Sequence, residues 1–108
     1  MTISLSVYIK RTREIVPGTA GYIPICGTHE FHTTWEPLAR RLNLGMIEIL
    51  NVLSFEDDEC KSEFLRELDI FLEHAPRDDV HSLSLDSFVL VRRLISNLDM
   101  GTYRVSFG

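Results

Sequence analysis

A chain of 108 residues, 44% hydrophobic and 25% charged, is long enough to bury a real core without disulfide or metal staples. Its formal charge of −5 is unevenly spread. Residues 48–79 hold eleven acidic and three basic side chains, a local −8, while the flanks hold five and eight, a local +3. The acidic middle argues against a nucleic-acid footprint, and no apolar run approaches a membrane span. At the N-terminus the basic residues follow the apolar stretch and no small-residue cleavage site is seen, so no signal peptide is read there. The expectation is one cytoplasmic domain, residues 1–108, with Cys26 and Cys60 as reduced thiols and Cys60 in the core.

The elements are read in chain order. Ile3, Leu5, Val7 and Ile9 alternate with Ser4, Ser6 and Tyr8, the signature of a half-buried strand. Pro17-Gly18 marks a turn, and Gly21–Ile25 can form a short strand whose Pro24 suits an edge. CGTHEFH, residues 26–32, then reads as a loop. Thr34 is taken as the N-cap of a helix with Pro37 in its first turn, and Trp35, Leu38, Ala39 and Leu42 share one apolar face. Gly45 is expected to end that helix. Residues 46–53 fit either a helix or a buried strand and are read as extended. Ser54 is expected to cap a long helix over 55–74, stopped by Pro76, with Cys60, Phe64, Leu68, Phe71 and Ala75 as its core stripe. A polar connection follows at 77–82. A third helix is predicted over 86–98, ended by Gly101, and Tyr103, Val105 and Phe107 alternate in a last strand. Two terminal strands with one apolar face each pair most economically in one sheet. The fold class is therefore α+β (or α/β): a two-layer domain whose small sheet includes the N- and C-terminal strands, covered by about three helices.

Two groupings carry chemistry. In CGTHEFH, Cys26, His29 and His32 are zinc-type donors, and Cys26 with a histidine is also the pairing of a thiol nucleophile and its base. Against both stands the spacing, which is neither a finger nor the HExxH metalloprotease pattern, and no third group orients a base. No metal or other cofactor is expected, and no enzyme. The second grouping lies on the long helix, where Glu59, Glu63, Arg66, Asp69 and Glu73 face away from the core with Ile70 among them. An apolar anchor inside an acidic face is the composition of a surface that recruits a basic protein, and also of a merely solvated face.

The order of elements, with LSVY at the start, then WEPLARRLNL, DDEC–FLREL, VRRLI and a terminal YRVSFG, resembles the small single-domain immunity proteins of bacterial polymorphic-toxin and contact-dependent growth inhibition systems. The likeness spans most of the chain and includes no diagnostic motif. It implies a non-catalytic cytoplasmic inhibitor that binds a cognate toxin domain, often a nuclease or another enzyme with a basic cleft. The expected contact residues are Glu59, Glu63, Asp69, Ile70 and Glu73, with a second patch at His29, Phe31 and His32, beside which Trp35 is either surface or core. The expected partner is a toxin domain with a basic surface, with no direct nucleic-acid or membrane contact, and the chain itself a monomer or weak homodimer. The rival expectations are a small metal-binding or thiol-dependent protein built on Cys26, His29 and His32, and a homo-oligomeric structural module.

Overall fold

Alternating apolar residues in the first and last strands bring them together at the centre of one antiparallel sheet. The structure, a computed structural model, describes residues 1–18, 21–75 and 81–108. Strand β1 (Thr2–Ile9) pairs with β2 (Tyr22–Gly27) on one side and with β4 (Tyr103–Phe107) on the other. The two-residue β3 (Ser54–Phe55) completes the order β2-β1-β4-β3. Leu5 and Val7 of β1 and Val105 and Phe107 of β4 are buried on the inner face. On the outer face Arg104 lies over the Tyr8 ring, its cross-strand partner, at 5.2 Å. Ser4 is buried although it alternates with the core residues, and its hydroxyl bonds the Tyr22 hydroxyl at 2.9 Å.

Val7 donates to the Gly21 carbonyl at 2.8 Å, so the odd residues of β1 bond toward β2. Leu5 faces Ile23 in that register, and the main chain of the next residue, Pro24, therefore faces outward. A proline there removes one N–H from the open edge, which blunts it against further strand pairing. Gly21 is required for a different reason: a Cβ there would lie 1.7 Å from the Val16 carbonyl oxygen. Its absence lets residues 15–16 fold back on β1, where Val16 donates to the Val7 carbonyl at 2.9 Å.

The helices cover the inner face. α1 (Thr28–Glu30), a π segment (Phe31–Trp35) and α2 (Glu36–Arg41) run on without a break. α3 (Gly45–Glu48) and a 3-10 turn (Leu50–Val52) precede β3. α4 (Asp58–His74) and α5 (Ser82–Ser96) pack together over the core. Trp35 stands 5.6 Å from Phe71 and 5.7 Å from Phe88, edge to face, and Phe71 and Phe88 are 5.0 Å apart, while Phe64 bridges Phe55 and Phe107 at the other end. The result is an α+β fold, as expected. No helix among the described residues is long and apolar enough to cross a membrane.

Several local expectations are corrected. CGTHEFH is not a loop: β2 ends at Gly27 and the helix starts at Thr28, so Thr34 lies inside the helix and caps nothing. Residues 46–53 are largely helical, not extended, because a distant carboxylate supplies the cap that their own sequence lacks. Gly45 opens α3; the preceding helix ends at Arg41, and the chain turns at Asn43, whose φ is 57°. Ser54 belongs to β3. The cap of α4 is Asp57, whose carboxylate accepts from the Cys60 N–H at 2.7 Å. α5 starts at Ser82, four residues before the expected Asp86. Cys26 is the buried thiol and Cys60 is half-buried; both are free. The reading of Pro76 as a helix stop and of 77–80 as a connection lies outside the described residues.

Candidate functional site

The outward stripe of α4 follows helical spacing. Glu59, Glu63, Arg66, Ile70 and Glu73 recur at intervals of four, three, four and three residues, which lines them along one face. The four charged members are exposed, and Ile70 is half-buried against the edge of the core. Arg66 grips Glu63 within the stripe, its Nε 3.0 Å from Oε2, and this pair holds the Glu63 carboxyl below its ordinary range. Asp69 leans to the side and is clasped by Arg92 of α5, whose second nitrogen lies 3.2 Å from Oδ2. That hydrogen bond likewise lowers the Asp69 carboxyl. Glu59 and Glu73 have no ion-pair partner among the described residues. The stripe thus keeps two uncompensated carboxylates at its ends, and the exposed Asp58 in the first turn and Glu56 just before it extend the negative charge.

The patch at 29–35 divides. His29 and His32 are exposed, and His32 Nδ1 sits 3.3 Å from Glu36. Phe31 and Trp35 are 0% exposed and belong to the core, so Phe31 offers no side chain to a partner. The same burial governs the thiol: Cys26 points inward, and desolvation, helped by the nearby Glu30 charge, pushes it up to about 12. A buried thiol held that far from ionisation is not a ready nucleophile. Among the described residues no group of three or more His, Cys, Asp or Glu converges to hold a metal ion, so Cys26, His29 and His32 do not form a ligand set.

Glu30 has a structural task that its sequence neighbours did not announce. The Glu36 N–H reaches back five residues to the Phe31 carbonyl, which widens the helix into a π turn. Widening brings residues five apart onto one face. Trp35 Nε1 then donates to Glu30 Oε2 at 2.7 Å, and the Ser84 hydroxyl of α5 donates to the same oxygen. His81 Nδ1 lies 3.7 Å from the other oxygen and its ring meets Trp35 edge to face at 5.1 Å. One carboxylate thereby ties the π segment to α5.

A second surface was not legible in the sequence. Where α5 crosses the sheet it leaves a mainly apolar cleft of ≈ 570 Å³. Val7 and Ile23 line its sheet side, Leu90 and Leu94 of α5 and Leu98 just past its end the other, and Val16 of the folded-back segment contributes as well. Leu90 in the cleft wall and Leu83, the second residue of α5, are 48% and 81% exposed. Their seven-residue spacing was readable, but the helix expected from residue 86 excluded Leu83. No family model, curated protein or solved structure matches this chain.

Proposed function

We propose that this chain is a non-catalytic protein-binding inhibitor, an immunity protein that neutralises a cognate bacterial toxin with a basic surface. The observation that carries the proposal is the exposed stripe of α4, in which Glu59 and Glu73 lack ion-pair partners among the described residues and Ile70 provides a half-buried apolar centre. A rigid helix with acidic ends and an apolar middle suits a partner whose basic cleft otherwise receives a negative substrate. Long-range attraction would speed the encounter, and the apolar contact would slow release. Asp69 contributes less than the sequence suggested, because Arg92 already neutralises it.

The test is native mass spectrometry of the tagged protein purified from its own host, followed by the triple variant Glu59→Lys, Glu63→Lys, Glu73→Lys. A stoichiometric toxin domain should accompany the wild type, lose its activity in the complex and leave the variant. Unchanged binding by the folded variant would exclude α4 as the interface. A catalytic activity of the bare chain would overturn the proposal altogether.

A further inference from the structure

We propose that this chain self-associates through α5, two copies packing antiparallel about a two-fold axis at the level of Leu90. The surface concerned is not the stripe of α4, and nothing here depends on the toxin reading. Leu83, Asp86, Leu90, Arg93 and Asn97 recur at intervals of three, four, three and four residues, a second stripe turned away from the buried Ser84, Phe88, Val91 and Ile95. The described residues give neither Asp86 nor Arg93 an ion-pair partner, and both are exposed.

The order of charges selects the occupant. Asp86 and Arg93 lie about equally far on either side of Leu90, on the same flank of the helix. A two-fold axis there sets Asp86 of each copy beside Arg93 of the other, so the interface holds two equivalent ion pairs and complements itself. A parallel arrangement would set like charges level with one another. In the antiparallel one the two Leu90 side chains meet at the axis. Leu83 of each copy falls between the positions of Leu94 and Asn97 on the other, beside the cleft, as a knob enters a hole. The most exposed leucine of the described helices thus has a receptor on the same face. One 15-residue helix per copy is a small contact, which places the dimer among weak, reversible ones.

Sedimentation velocity over a wide range of protein concentration tests this. The wild type should pass reversibly from monomer to dimer. Leu83→Glu, at an exposed site that folding does not need, should abolish the dimer. Asp86→Arg alone and Arg93→Asp alone should each weaken dimerisation about tenfold, because symmetry repeats the repulsion at two exposed pairs. The double variant should recover to within about threefold of wild type, since the swapped pairs attract again. A monomer at every concentration overturns the proposal, even if its cleft takes up an apolar dye. A dimer indifferent to Leu83→Glu, or a double variant no better than the singles, overturns it equally.

Discussion

Glu67 is the one carboxylate of α4 that turns inward, and its removal should be the costliest single change among the charged residues of that helix. It is 4% exposed, and its Oε1 accepts from the Met46 N–H at 2.9 Å and the Ile47 N–H at 3.2 Å. These donors open α3, whose N-cap residue, Leu44, offers no side-chain acceptor. In Glu67→Ala the Ile47 N–H is left buried without a partner, at about 1–3 kcal/mol, while the half-buried Met46 N–H loses a charge-assisted bond of about 1.5 kcal/mol and recovers part of it from water. Relief of carboxylate desolvation offsets roughly 1 kcal/mol, leaving a net loss of about 1–3 kcal/mol. A loss of that size lowers Tm by roughly 4–24 °C in a domain of this class. The assay is urea or thermal unfolding followed by fluorescence of Trp35, the single tryptophan, which is fully buried. The pH dependence carries a sign. Burial raises the Glu67 carboxyl above its ordinary value, against the opposing pull of the two N–H groups. The folded state therefore holds the proton at pH values where the unfolded chain has released it. Its contribution is fully present below the ordinary glutamate range and is lost as pH rises through the raised value. Glu67→Gln keeps an acceptor and cannot titrate, so the difference between wild type and this variant should shift in that window and nowhere else. An Ala variant within about 0.5 kcal/mol of wild type would refute the capping role.

The remaining expectations are simpler. Ellman's reagent should modify the half-buried Cys60 slowly in the folded protein and reach Cys26 only in denaturant; two thiols reacting at similar rates would contradict the burial that pushes Cys26 up to about 12. Gly21→Ala should destabilise by about 2–3 kcal/mol, because its methyl cannot coexist with the Val16 carbonyl and the folded-back segment must shift; chemical denaturation reads this directly. Asp69→Asn should cost less than about 1 kcal/mol and the loss should fade in high salt, since the Asp69–Arg92 pair is exposed, and a large salt-insensitive loss would point to a buried role instead.

Period and composition were enough for the pairing of the first and last strands and for the bodies of the two long helices, but not for β3 or the strand order. The alternation in β1 and β4 required one buried face each, and pairing the two strands buries both faces at once. The stripe of Phe64, Leu68 and Phe71 likewise placed α4, and Arg66 and Asp69 between them turned outward as spacing demands, while Glu67 turned inward to cap α3. Two of the misreadings share a cause, a partner far along the chain. Residues 45–48 turn helical because Glu67, on another helix, caps them. The helix over 28–41 accommodates a π turn in which Glu30 ties Trp35 to Ser84 of α5. The thiol and imidazoles of CGTHEFH looked like one site in sequence, yet a strand end sends Cys26 into the core while the helix leaves His29 and His32 outside. Local pattern by itself determined which faces must be buried, because burial follows a period of two or 3.6 residues. Only the tertiary structure decided which carboxylates are neutralised, which polar groups are satisfied and where a cleft remains, because those depend on side chains that approach one another only after the layers have packed.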